Sequence, residues 1–164
     1  MNAPLDVDSL LRVLTEHDVE FVVIGGLAVA AHGYVRATKD LDIVPRPDAA
    51  NRRRLFKALR TLDAEPLELG DFASAELPVA FTAAALDGGG NWALRTTHGR
   101  IDVMQWVAEG DDYNRLSTNA LVVDLPDVGQ VMFAGFDDLV AMKDAADRPE
   151  DRVDLARLRE AKGR

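Results

Sequence analysis

An apolar run, Val22-Val23-Ile24, ends in Gly25-Gly26, and after thirteen intervening residues comes Asp40-Leu41-Asp42-Ile43. No other stretch constrains the fold as strongly. It reads as a strand, a tight turn opening a short helix, and a second strand. Side chains of a strand alternate between faces, so Asp40 and Asp42 project together while Leu41 and Ile43 pack behind them. Two carboxylates on one face of a buried strand repel each other, and such a pair persists when a cation lies between them. Oxygen-only ligands suit a hard ion such as magnesium, which keeps much of its water and shares substrate phosphates. The Gly-Gly turn opens a helix whose first amides can receive an anion. A phosphate cradle and metal ligands in one short unit point to nucleotide chemistry.

Composition sets limits around that unit. A chain of 164 residues, 48% apolar and 29% charged, has the size and make-up of one globular domain. Residues 1–164 are therefore read as a single domain, with 136–162 as a C-terminal helical segment. The absence of cysteine excludes disulfides, thiolate zinc sites and a cysteine nucleophile. No apolar run is long enough to span a membrane, and Met1 to Val7 lacks a basic region followed by an apolar one. A cytoplasmic location without membrane contact is expected. The net charge of -9 argues against a long nucleic-acid footprint. Positive charge is nonetheless clustered, in Arg52, Arg53, Arg54, Lys57 and Arg60 and again in Arg148, Arg152, Arg157, Arg159, Lys162 and Arg164. These clusters are solvated helix faces or a local contact with a nucleic-acid end, which needs few phosphate contacts.

Periodicity predicts alternating elements and no repeat. A helix starting at Asp6-Val7-Asp8-Ser9 carries the stripe Leu10, Leu11, Val13 and Leu14. Phe21 to Ile24 is a buried strand, and Leu27 to Ala31 a small-residue helix ended by His32-Gly33. Leu41 to Val44 is the carboxylate strand, closed by Pro45 and Pro47. A helix with Leu55, Phe56, Leu59 and Leu62 on its inner side follows, and the acidic stretch from Ala64 to Glu76 has no clear element. Gly88-Gly89-Gly90 reads as a mobile loop before the strand Trp92 to Thr96, then His98-Gly99 turns into Ile101 to Trp106. Short strands are expected around Leu121 to Val123 and Val131 to Phe133. Asp137 and Asp138 cap a helix through Ala146, and Pro149 opens a last one through Ala161. The predicted class is α/β (α+β): a mixed central β-sheet flanked by helices, with the C-terminal helices packed on the core.

The ordered set of motifs resembles the nucleotidyltransferase superfamily of the DNA polymerase beta type. Its members carry an apolar strand ending in Gly-Gly or Gly-Ser, a spacer, and an Asp-x-Asp or Asp-x-Glu strand. The resemblance implies a third carboxylate on a later strand, and Asp102 in Arg100-Ile101-Asp102-Val103-Met104 matches it. The string Gly25-Gly26-Leu27-Ala28-Val29-Ala30-Ala31-His32-Gly33, with Arg36 and Thr38, is most similar to the AbiEii/MenA-type group of minimal nucleotidyltransferase toxins. The same holds for Leu139-Val140-Ala141-Met142-Lys143, for Arg148-Pro149-Glu150-Asp151 and for Asp154-Leu155. The implied fold is nucleotidyltransferase-like. The implied activity transfers a nucleoside monophosphate from a nucleoside triphosphate to a hydroxyl and releases pyrophosphate.

That activity assigns expected roles. Asp40, Asp42 and Asp102 would hold two magnesium ions, with manganese able to substitute, and Asp102 would also take the acceptor proton. The amides of Gly25 and Gly26 would meet β- and γ-phosphates, unless they form only a tight turn. Many relatives have serine at the second glycine, so a hydroxyl contact to phosphate is missing. Arg36 neutralises the triphosphate or pairs with a nearby aspartate; Thr38 orients. The related toxins place a catalytic lysine in a run like that around Lys143, making it a triphosphate ligand rather than a snorkelling surface lysine. Asp154 would position Lys143 or another basic group. His32 is read as a helix-end residue, and His17 and His98 as surface or turn residues.

The acceptor is left open between an RNA end such as the 3′ end of a transfer RNA, a protein side chain, and a small hydroxylated compound. A cognate antitoxin or toxin partner is implied by the toxin resemblance. The rival class is a nucleotide- or partner-binding module without turnover, since a fold does not prove a function.

Overall fold

The computed structural model describes residues 3–67, 81–105 and 112–163. Helix α1, Val7–Glu16, starts where Asp6 accepts from the Ser9 amide at 3.1 Å, and its stripe Leu10, Leu11 and Leu14 is buried. Strand β1, Phe21–Ile24, is buried along its whole length and passes directly into α2, Gly25–Ala31. The helix thus begins on the two glycines rather than after them. Strand β2, Asp40–Pro45, alternates half-buried Asp40 and Asp42 with buried Leu41 and Ile43, as the two-residue period demands. Asp48 caps α3, Ala49–Thr61, by accepting from the Asn51 amide at 2.8 Å.

Strand β3, Glu65–Pro66, is followed in the described residues by α4, Ala83–Asp87, capped by Thr82. Then come β4, Asn91–Thr96, and β5, Gly99–Met104. Helix α5, Asp112–Thr118, precedes the hairpin of β6, Leu121–Leu125, and β7, Gly129–Phe133. Helices α6, Phe136–Ala146, and α7, Pro149–Lys162, complete the chain.

The described strands form a seven-stranded sheet in the order β3-β4-β5-β2-β1-β7-β6. Strands β2 and β5, and β1 and β7, pair in parallel; the other neighbours are antiparallel. On the back of the central strands Leu41, Ile43, Ile101 and Val103 are fully buried, in one apolar cluster with Leu10, Leu14, Leu55 and Leu59. Each such side chain stabilises the fold by about 1.5–3 kcal/mol. Fully buried Asn51 accepts from the Glu20 amide and donates to the carbonyls of Glu20 and Arg46, all at 2.8–3.0 Å. That bridge fixes α3 against the entry to β1 and the exit of β2.

Two helices, α4 and α5, were not legible in the sequence. Helix α5 has only Tyr113 and Leu116 as buried apolar anchors, in a segment of Asn, Ser, Thr and Asp that favours turns when isolated. The Gly88-Gly89-Gly90 run ends α4 and enters β4 with positive φ at Gly89 and Gly90. Strand β5 stops at Met104, and Trp106, expected in it, lies outside the described residues, as do residues 68–76 of the acidic stretch. Among the described residues no helix is long and apolar enough to cross a membrane.

Candidate active site

Parallel pairing of β2 with β5 puts Asp42 opposite Asp102 and Asp40 opposite Arg100. Asp40, Asp42 and Asp102 each offer one oxygen within 4.8 Å of the others. Arg100, two residues before Asp102, shares their face. Its Nε donates to Asp102 Oδ1 at 2.7 Å and its Nη2 to Oδ2 at 2.8 Å, while Nε lies 3.6 Å from Asp40 Oδ2. Among the described residues the three carboxylates thus share the adjacent Arg100 guanidinium.

The imbalance shows in their acidity. Burial, then the charges of Asp40 and Asp102 and a hydrogen bond with Asp102, push the Asp42 carboxyl up to about 7 against a partial offset from Arg100. Burial and the Asp102 charge also raise Asp40, opposed by Arg100, Arg36 and Arg148. An oxygen-only set short of positive charge fits a hard divalent cation. The linkage has a definite sign. Between the unfolded value of 3.8 and about 7 the folded chain keeps a proton on Asp42 that the unfolded chain has released. Metal-free protein is therefore expected to lose stability as pH rises from about 4 to 7, read as a falling melting temperature. Magnesium should restore more stability at pH 8 than at pH 5, because protons compete for the same oxygens.

The glycine pair closes against this cluster. Gly25 has φ +71°, and a Cβ there would run into the Asp42 carboxylate. Only glycine combines that backbone with that approach. A Cβ on Gly26 would lie 2.9 Å from Thr38 Oγ1 and 3.2 Å from Arg36 Nη2. The space a side chain at 26 would need is filled by the hydroxyl and guanidinium of the loop before β2. Gly25, Gly26, Arg36, Thr38 and Asp42 are therefore brought together.

Arg36 links the cluster to the C-terminal helices. Its Nε and Nη2 donate to Asp154 at 2.8 and 2.9 Å. Lys143 Nζ lies 3.0 Å from both Asp154 and Asp151, and Arg148 donates to Asp151 at 2.8 Å. Lys143, Asp151 and Asp154 are all buried. Burial alone would raise both aspartates, but their bonds from Arg148 and Lys143, and from Arg36 and Lys143, outweigh it and hold both carboxyls below the ordinary range. Arg36 is thus paired with an aspartate, and Asp154 touches both Lys143 and Arg36. Sequence reasoning gave no role to Arg100 or Asp151. The i, i+2 spacing of Arg100 and Asp102 on one strand was the available signal for the first, and the run Arg148-Pro149-Glu150-Asp151 for the second.

His32 Nε2 meets the Ala134 carbonyl at 2.8 Å and its ring packs edge-on to Phe136, so it fastens the end of α2 to the start of α6. Many basic residues of the two clusters are engaged internally: Arg52 with Asp87, Arg54 with Glu20, Arg152 with Asp147 and Arg157 with Glu160.

No family model and no curated protein sequence matches this chain. Solved structures do. The lincosamide antibiotic adenylyltransferase LnuA, with lincomycin bound, aligns at TM-score 0.63 and 14% identity over 98% of this chain and 99% of its own. An antigenic nucleotidyltransferase-like protein from Paracoccidioides brasiliensis aligns at 0.58 and 15%, over 97% of this chain and 78% of its own. The antibiotic-resistance factor ANT(2'')-Ia, solved with adenylyl-2''-tobramycin, aligns at 0.53 and 14%, over 91% and 82%. Identity this low speaks for the fold alone, and with its mixed seven-stranded sheet flanked by helices the chain has the fold of the nucleotidyltransferases.

Proposed function

We propose that this protein is a metal-dependent nucleotidyltransferase that moves a nucleoside monophosphate from a nucleoside triphosphate to a hydroxyl. The observation that carries the reading is the convergence of Asp40, Asp42 and Asp102 within 4.8 Å, against the Gly25-Gly26 start of α2. Magnesium, or manganese in its place, held by these three carboxylates, would neutralise the triphosphate and acidify the acceptor hydroxyl. The acceptor oxygen bonds to the α-phosphorus as that phosphorus parts from the pyrophosphate oxygen, and Asp102 accepts the hydroxyl proton. The amides of Gly25 and Gly26 meet the β- and γ-phosphates. Arg36 supplies positive charge there and Thr38 orients it. Lys143 is held by Asp151 and Asp154, so in the resting geometry it and Asp154 set the position of Arg36. Residues 1–164 act as one domain, with 136–162 as the helical segment that completes the site.

Two acceptors have support. Near-complete mutual coverage with an antibiotic adenylyltransferase favours a small hydroxylated compound. The string from Gly25 to Gly33 with Lys143 and Asp154 favours an RNA end, as in the toxin group, with a cognate antitoxin as partner. Incubation with α-labelled ATP, CTP, GTP and UTP, magnesium and cell lysate decides between them. Label is expected in one fraction, RNA, protein or small molecules, and should vanish on chelation of the metal. Absence of label from every fraction would leave only a binding module.

A further inference from the structure

We propose that Arg100 is the resident counter-ion of the carboxylate cluster and must leave Asp102 before a divalent cation binds there. The inference rests on the metal-site reading above and adds a residue to it. Both oxygens of Asp102 accept from this one guanidinium, at 2.7 and 2.8 Å, so a cation approaching either oxygen meets the guanidinium's charge and one of its bonds. The same group stands 3.6 Å from Asp40, between the two strands that carry the ligands. Parallel pairing enforces the position: Arg100 and Asp102 are i and i+2 of β5, directly beside Asp40 and Asp42 of β2.

Mobility and anchorage are unequal. The Asp102 side chain is 14% exposed and stays with the strand, while the Arg100 side chain is 39% exposed and can swing to water without opening the core. A bidentate charged bond strengthens in such a partly dry site. Arg100 therefore holds the cluster together without metal and sets the concentration at which metal enters. Metal and guanidinium compete for the same carboxylate, so removing the guanidinium tightens metal binding instead of weakening it. A merely structural arginine would do the reverse, loosening the cluster and the site with it.

The test is binding of Mn2+ alone to the whole chain, followed by loss of the free-ion paramagnetic resonance signal. Wild type, Arg100→Gln, Arg100→Lys and Asp42→Asn are compared, with circular dichroism confirming that each is folded. Arg100→Gln is expected to bind about tenfold more tightly than wild type, as befits the loss of a competing charged hydrogen bond. Arg100→Lys, which keeps charge but loses the fork, should fall between them and carries the test if the glutamine variant does not fold. Equal or weaker binding in the Arg100 variants overturns the counter-ion role while leaving the metal site in place. Binding by none of the proteins, or binding undiminished in Asp42→Asn, overturns the metal site itself and the inference with it.

Discussion

Asp42→Asn is expected to abolish nucleotidyl transfer and at the same time raise the melting temperature of the metal-free protein at pH 8. The two effects share one cause. Asp42 lies between Asp40 and Asp102, opposite Ile24 of β1 on one side and Asp102 of β5 on the other. Its carboxyl, pushed up to about 7 by burial and by its two neighbours, is held as an anion at pH 8 only at a cost in stability. Asparagine keeps the shape and removes the charge. With a discount for water reaching the half-buried cluster, the gain should be about 1–2 kcal/mol. For a chain of this length that is about 2–8 °C. Transfer should fall by about a thousandfold or more, beyond the loss typical of a residue that only supports a ligand. Melting curves with and without magnesium, run beside label transfer, check both halves. A variant that loses activity and stability together would mean that Asp42 is structural, and retained activity would remove it from the site.

Lys143→Met carries the largest expected loss of stability. The lysine is buried and lies 3.0 Å from two buried carboxylates, Asp151 and Asp154. Methionine fills the volume and strands both aspartates. Breaking a buried pair in this way costs 3–5 kcal/mol in general, and about 3 here because Arg148 and Arg36 each still hold one aspartate. The melting temperature should drop by about 6–12 °C. Adding Asp154→Asn should recover part of the loss by removing one stranded charge, so the two changes will not add. Urea denaturation of both single variants and the double variant measures that coupling. A loss under about 1 kcal/mol in Lys143→Met would place the lysine in water, as surface pairs behave. The pH trend of this network runs opposite to that of Asp42. Asp151 and Asp154 are held below the ordinary carboxylate range, so their stabilisation is present above the unfolded value of 3.8 and disappears as pH falls through their folded values.

Much of the carboxylate strand unit is determined locally. The alternation in Asp40-Leu41-Asp42-Ile43 assigns faces without any knowledge of neighbours, because successive side chains of a strand must point opposite ways. The stripe of α1, the cap at Asp48 and the proline opening α7 are equally local, each a matter of a few residues and their own backbone groups. Helix α5 was missed for the converse reason: its two apolar anchors are buried in a helix that packs on β1 and β2, which lie far away in the chain.

What the sequence by itself determined was the presence of the chemical groups and the elements that carry most of them. Hydrophobic period, caps and glycine conformations are short-range physics. Tertiary structure alone decided who faces whom. The register of β2 against β5 turns Asp102 from a matching residue into a neighbour of Asp42 and sets Arg100 beside Asp40. The docking of α7 turns Asp154, 118 positions from Arg36, into the acceptor of two of its bonds. Charge pairing acts over a few ångströms, and positions so far apart in the chain acquire such distances only when the sheet and its helices have packed.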